Sequence, residues 1–215
     1  MSITPTTWNP IDKSASVTLS GGNLVATCTG SSHAVRSIFS ASSGKYYWEC
    51  TITNLVGYSN TGIGIANSSY DLDTFLGLLT NAWGRWQSTT RHDGASISYP
   101  TFHTGDIISV AFDLDNGKIW WAHNGTWHDS GDPAAGTNAG YTGVTGTLYA
   151  TCCLQDEESE PIIQTTNFGA SAFSHSVPSG FESGFGEELI INESSITFSV
   201  KQTNHYNPFP ILGGV

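Results

Sequence analysis

Three constellations in the 215-residue chain bring together residue types able to carry chemistry. His123 and His128 flank an Asn124-Gly125 turn, with Asp129 beside them. Across a two-residue hairpin both imidazoles fall on one face, where a metal ion would find two ligands. Two imidazoles and one carboxylate fall short of a closed zinc site, so the pair reads as ordinary polar residues on an exposed hairpin. Asp113-Leu114-Asp115-Asn116-Gly117 alternates side-chain oxygens ahead of a glycine, as a calcium loop does. The bidentate Glu of such a loop is missing, Ile119 to Ala122 stand in its place, and a hairpin turn accounts for every residue without an ion. Asp156, Glu157, Glu158 and Glu160 are dense but successive. A glycosidase needs two carboxylates facing each other across a cleft, whereas a run in one loop is solvated. Nucleophile elbows, zinc-protease helices and phosphate loops are absent from the sequence. The expectation is a protein with no catalytic residues, no cofactor and no metal.

A fourth set points to binding instead. About forty residues separate the strand ending near Ala66 from the one starting near Ile107, long for a simple connection. They hold Tyr70, Trp83, Arg85, Trp86, Arg91 and His92, with two of the three arginines and two of the seven tryptophans. Arg and aromatic side chains dominate binding hot spots, and loops on a rigid scaffold are where sites lie. Two readings stand: a ligand-binding loop, or a cap over the open end of the fold. On the first, Trp86→Ala and Arg85→Ala spare the melting transition and weaken partner binding.

The elements that position these residues are strands and turns almost throughout. Ser16 to Leu19 and Leu24 to Cys28 flank Gly21-Gly22-Asn23 as a hairpin. Lys45 to Asn54 alternates, with Trp48, Cys50 and Ile52 on one face. Gly62-Ile63-Gly64-Ile65-Ala66 is an apolar strand whose glycines let something large pack on the backbone, and Trp48 is the expected indole. Gly105 to Asp129 reads as a three-stranded meander turning at Asp115-Asn116-Gly117-Lys118 and at Asn124-Gly125. Trp120 and Trp121 fall on opposite faces, one in the core and one exposed or capped by a loop. Tyr149 to Leu154 and Ile162 to Phe168 are further strands, and no segment has ten residues of helical periodicity. Many short strands joined by glycine turns imply an all-β sandwich or barrel.

The order of Gly44-Lys45-Tyr46-Tyr47-Trp48-Glu49, Gly62-Ile63-Gly64-Ile65-Ala66, Gly105-Asp106-Ile107-Ile108, Asp113 to Trp120, Asn124-Gly125, Asn167-Phe168-Gly169 and Pro178-Ser179-Gly180-Phe181 resembles the SPRY family. The resemblance implies a bent, two-sheet antiparallel β-sandwich of the concanavalin A-like kind over residues 1–183, acting as a binding module with no chemistry of its own. Trp8-Asn9-Pro10, Ser20 to Leu24 and the loop Ser130 to Asn138 look like SPRY domains of bacteriophage and prophage structural proteins. That likeness implies a virion component, a decoration, tail or fibre-tip protein, whose partners are other virion proteins or its own subunits. A host surface protein or glycan is the further partner it implies.

Composition sets the limits on partners. Seven basic against eighteen acidic residues give a formal charge of −11, which disfavours nucleic acid and anionic membrane surfaces. The apolar runs are far short of the ~20 residues of a membrane-spanning helix. The first seven residues have neither the basic region nor the apolar stretch of a signal peptide. Cys28, Cys50, Cys152 and Cys153 sit in apolar or β-branched surroundings without metal spacing, so buried free thiols folding in a reducing compartment are expected. Residues 151–215 hold eight acids and one base. Residues 184–215 form a C-terminal extension, with an alternating Ser195 to Lys201 and an apolar end. Phe198, Phe209, Ile211 and Leu212 are the candidate oligomer or attachment residues, because such side chains left in water are a liability. The expected function is a non-enzymatic binding module of a phage particle, with a lectin-like carbohydrate-binding protein as the alternative.

Overall fold

The computed structural model describes residues 3–30, 33–57, 60–155 and 160–188. Phe198, Phe209, Ile211 and Leu212 lie outside the described residues, as do Asp156, Glu157 and Glu158. In chain order the described strands begin with β1 (Ile3–Pro5), β2 (Trp8–Lys13), β3 (Val17–Ser20), β4 (Val25–Cys28), β5 (His33–Ala41) and β6 (Lys45–Asn54). The next are β7 (Asn60–Ala66), β8 (Ala82–Arg85), β9 (Thr89–His92), β10 (Ala95–Ser98), β11 (Ile107–Asp113) and β12 (Lys118–His123). Then come β13 (Thr126–Trp127), β14 (Tyr141–Thr142), β15 (Leu148–Gln155), β16 (Ile162–Asn167) and β17 (Gly186–Glu188). Two antiparallel sheets face each other. Sheet I runs β10-β9-β8-β7-β15-β5-β2, and sheet II runs β13-β12-β11-β6-β16-β4-β3 with β14 on β12. This is the expected all-β sandwich, and a two-stranded β1–β17 ribbon joins it.

The alternation in the sequence explains the main core. Trp48, Cys50 and Ile52 of β6, and Ile108, Val110 and Phe112 of β11, point inward against Ile63, Ile65, Ala150, Cys152 and Leu154 of sheet I. Trp8, Trp48 and Phe168 meet as a ring cluster, with centroids 4.9 Å (Trp8–Phe168) and 5.3 Å (Trp48–Phe168) apart. Trp48 is therefore not the indole over the glycine strand. That place belongs to Trp86: a Cβ added at Gly62 would come 3.0 Å from its ring, on the other face of sheet I. The error lies in the face, since Gly62 and Gly64 alternate with the inward Ile63 and Ile65.

Both outer faces are covered as well. Segment 67–81 roofs sheet I, burying Tyr70, Leu76, Trp86 and Cys153 with Ala34, Ala66 and Ala82 in a second apolar layer. Cys152 and Cys153 thus face different layers, and all four cysteines are buried, with no disulfide among the described residues. On sheet II the 131–138 loop caps Trp120, whose Nε1 donates to the Thr137 carbonyl at 2.8 Å, while Trp121 lies in the main core. Asn124 and Gly125 adopt φ of 47° and 79°, the paired left-handed geometry of their hairpin. The Asp113 to Gly117 turn is also a hairpin turn: Asp113 pairs with Lys45 at 3.0 Å and accepts the Asn116 amide at 3.0 Å. The sandwich continues past residue 183. Phe185 is fully buried in the main core and β17 pairs with β1, so residues 184–188 belong to the folded unit.

Gly64 and Gly84 pair where β7 and β8 pass each other, and a Cβ at Gly64 would overlap the Trp83 carbonyl oxygen. Gly64→Ala is expected to lower unfolding stability by about 3 kcal/mol, because neither strand can move without disturbing a packed layer. Urea unfolding of the variant against the wild type checks this.

Candidate interaction surface

The aromatic and arginine-rich stretch between β7 and β11 is a folded hairpin unit with a roof, and most of its candidate residues are spent holding it together. Tyr70 is buried and donates to the Thr74 carbonyl at 2.6 Å, with its phenol pushed well up by burial. Arg36 grips Asp12 through two bonds of 2.7 Å and reaches the Tyr70 carbonyl at 2.8 Å, which pins the start of the roof to β2 and β5. Trp86 lies beneath the roof, donating to the Leu76 carbonyl at 2.7 Å. Trp83 points into the main core and stacks on His92 at 4.5 Å. Of the two readings of this stretch, the geometry of Tyr70, Trp83, Arg85 and Trp86 is that of the cap: none of the four is presented to a partner.

Arg85 is the sharpest correction. It is fully buried. Its Nη2 donates to the Pro100 carbonyl at 2.6 Å, its Nη1 to the Trp86 carbonyl, and its Nε to His128 Nε2 at 3.0 Å. Tyr99 and Phe102 lie over the guanidinium, with ring centroids 5.6 and 5.1 Å from Cζ. Burial lowers its pKa to about 10, which leaves it charged at neutral pH. A guanidinium has five donors and no acceptor, so a shell of carbonyls can satisfy it without a carboxylate. His128 must then be unprotonated at Nε2. Burial first, and the Arg85 charge second, hold its pKa at about 4. Tyr99 stacks on His128 at 4.1 Å and donates to Asp129 at 2.5 Å. His123 instead faces Asp106 at 2.9 Å, so the two histidines that share a hairpin in the sequence serve different partners.

What remains outward is a smaller set. Arg91 is half-buried, with its guanidinium 5.9 Å from the Phe75 ring and 5.8 Å from Trp86, and its Nε has no hydrogen-bond partner. Next to it in the roof, Leu78 and Leu79 are 43% and 51% exposed. Gly77 packs so closely on the Arg91 backbone that a Cβ there would overlap the Arg91 carbonyl. Beyond β9, β10 closes sheet I as its edge strand among the described residues, with all four of its residues exposed, Ile97 at 40%. An uncovered strand edge offers unpaired backbone groups to an incoming chain. The β10 edge and the two leucines were not legible in the sequence, where Ala95 to Ser98 shows only a short polar alternation.

A second concavity lies on the outer face of sheet II. Glu49 is buried there, accepting the Ser174 amide at 2.8 Å, the His175 amide at 2.9 Å and the Tyr47 hydroxyl at 2.7 Å. Tyr47 has one proton, so Ser109, 3.0 Å away, donates to it in a relay that ends on the carboxylate. Burial raises the Tyr47 phenol well above its ordinary range. Above this floor Gly125, Trp127, His175 and Ser176 wall a hollow of about 350 Å³. A lone carboxylate amid the aromatics of Tyr46 to Trp48 was the sequence signal for this site.

Comparison with known proteins agrees with the sandwich. A family model described as SPRY domain matches residues 45–169. Ran-binding protein 9 of Xenopus laevis is 28% identical over 182 residues, covering 79% of this chain and 31% of that protein. The Ran-binding proteins 9/10 homolog of Drosophila melanogaster is 29% identical over 187 residues, covering 79% of this chain and 18% of that one. The chain thus spans about a third or less of the curated relatives it matches. The crystal structure of the SPRY domain of human HERC1 superposes with a TM-score of 0.60 at 18% identity, covering 74% of this chain and 96% of that chain.

Arg85→Ala and Trp86→Ala are both expected to destabilise the fold, by about 3 kcal/mol or more, through stranded carbonyls in one case and a cavity in the other. Thermal unfolding of each variant is the check. The pH response follows from His128. Unfolded, it takes a proton near its ordinary 6.5, and folded only near 4. Between those values the unfolded chain binds more protons, so stability falls as pH drops from about 6.5 to about 4, and the loss from this group is complete below that. His128→Gln keeps an acceptor for Arg85, and its melting temperature is expected to fall less than the wild type's between pH 7 and pH 5.

Proposed function

The chain belongs to the SPRY domain family, and we propose that it works as a non-enzymatic protein-recognition module whose docking line is the free edge of β10. One observation carries this: an edge strand with all four residues exposed, bordered by Leu78, Leu79 and Ile97 and by a half-buried arginine stacked on two rings. A peptide added as a further strand gains backbone hydrogen bonds from β10 and alternates its side chains between the two faces. On one face it meets Arg91 and the roof leucines, on the other Ile97. Of the six binding residues expected from the sequence, Arg91 alone keeps that role here. The Ran-binding context belongs to the relatives' names and is not carried over to this chain.

A carbohydrate reading is favoured by one specific feature, the hollow walled by Trp127 with Ser109 and His175 around it, since an indole face and hydroxyls suit a sugar ring. As a finer reading of the whole protein, we keep the component of a phage particle, present in the virion. Its support is the sequence likeness at Trp8-Asn9-Pro10 and in the 130–138 loop, while the relatives named above are animal proteins. Particles that carry the chain at fixed copy number after purification would support that placement, and particles without it would end it.

Selection from a random peptide library tests the docking line. Selected peptides are expected to lose about tenfold or more in affinity for Leu79→Asp and Ile97→Asp, whose melting temperatures stay near the wild type's because both positions are exposed. Peptides that bind both variants unchanged, or a glycan array that lights up and goes dark with Trp127→Ala, would move the function to the other surface.

A further inference from the structure

The hairpin of β9 and β10 fixes which backbone groups of its outer strand are free. Its turn has two residues, Asp93 and Gly94, with φ of 51° and 72°, and His92 pairs with Ala95 across it. In such a turn the Ala95 amide donates back to the His92 carbonyl, so Ala95 is tied to β9. Antiparallel pairs alternate between bonded and non-bonded. Ile97, opposite Thr90, is therefore tied likewise, while Ser96 opposite Arg91 and Ser98 opposite Thr89 turn their N–H and C=O groups away from β9. Two contacts agree with this phase. The Thr89 carbonyl accepts the Trp86 amide from the β8 side at 2.7 Å, and the Tyr99 amide donates to the Ser88 carbonyl at 2.8 Å. Among the described residues no strand pairs with β10 on its outward side.

The run from Ala95 to Tyr99 is its own complement. Turned end for end about Ile97, position 96 meets 98, position 97 meets itself and position 95 meets 99. Ser96 and Ser98 of one copy then exchange backbone hydrogen bonds with Ser98 and Ser96 of the other, using the groups that β9 leaves free. Ile97, 40% exposed, meets its own copy at the close spacing of a non-bonded pair. On the roof face hydroxyls stand opposite hydroxyls, and on the other face the small Ala95 leaves room for the half-buried Tyr99. None of these residues carries a charge. The devices that blunt an edge are missing from β10, which has no lysine, no proline and no register shift against β9. Pro100 then ends the match.

We propose that β10 docks a second copy of this chain, strand against strand about a two-fold axis at Ile97, so that sheet I runs on from one copy into the other. This rests on the reading of the β10 edge as the docking line and names its occupant. Paired serine backbones and one isoleucine contact make a short seam, so the dimer is weak, in the class of transient interfaces. A two-fold pair uses both edges and closes, which stops a bare strand from growing a fibre.

Sedimentation of the full chain from about 1 μM to about 1 mM is expected to show a monomer passing to a dimer and to nothing larger. Ile97→Asp is expected to weaken the dimer about tenfold or more, because two carboxylates then meet at the axis, with the melting temperature at low concentration kept. Cysteine variants read the register. Ile97→Cys alone is expected to give a covalent dimer on oxidation with diamide, since position 97 meets itself at a Cα spacing that a disulfide spans. Ser96→Cys and Ser98→Cys are each expected to stay unlinked and to cross-link when mixed. The native thiols are buried, so the wild type is expected to give no such product. A chain that stays monomeric throughout, a dimer indifferent to Ile97→Asp, or Ser96→Cys linking to itself overturns the proposal. If library-selected peptides still bind and are lost in Ile97→Asp, that failure leaves the docking line standing, and if they ignore Ile97→Asp both readings fall. A chain ended at Glu188 is expected to dimerise as the full chain does. A change of about tenfold there would make the residues after Glu188 part of the seam or its occupant, and would overturn the proposal.

Discussion

The close pass of β7 over β8 is the constraint on which the rest of the molecule is arranged. With Gly64 facing Gly84 and Gly62 beneath the Trp86 indole, the outer face of sheet I is bare backbone over a strip where other strands carry side chains. Bare backbone lets a large ring lie directly on the sheet, and that ring needs its own cover. Segment 67–81 supplies it, anchored at one end by Arg36 and closed at the other by Gly77 against Arg91. A two-layer sandwich thereby becomes three layers deep at this edge, with Tyr70, Leu76 and Trp86 as the added core. The exposed leucines of the roof and the bare β10 edge are the outer rim of the same construction.

Buried charge is handled in two ways: Arg36 and Asp113 pair with Asp12 and Lys45, while Arg85 and Glu49 do without such a partner. Arg85 and Glu49 are both buried, and neither relies on an oppositely charged carboxylate or guanidinium. Backbone carbonyls and an imidazole satisfy Arg85, while two backbone amides and a phenol satisfy Glu49. Arg85 holds Trp86 and Pro100, on either side of the β9–β10 hairpin, and Glu49 holds the irregular segment at Ser174 and His175. Burying a charge this way costs desolvation and returns position.

The strands and turns were largely legible. Alternation in Lys45–Asn54 and Ile107–Asp113 placed the inward residues, and Asn124-Gly125 named its own turn because both positions take positive φ. Cover of the outer faces was not legible, because irregular segments have no period to read. Trp83, Arg85 and Trp86 show the difficulty. The composition that marks a binding hot spot is also that of a tightly packed cap, and only the carbonyls around Arg85 decide between them. The boundary at residue 183 missed Phe185 for a related reason: one buried ring in a glycine-rich stretch makes no pattern.

Cys152 and Cys153 stand side by side in β15 and face different interiors. Burial raises the first thiol well above its usual range and the second to about 12, so neither reacts in the intact protein. Alkylation therefore times exposure, since only the thiolate attacks the reagent. Cys153 lies under the roof, and Cys152 lies between the sheets. If the roof lifts before the sandwich parts, modification proceeds in two kinetic steps, the first confined to one of two adjacent residues. One peptide bond thus separates two clocks, one for each depth of the molecule.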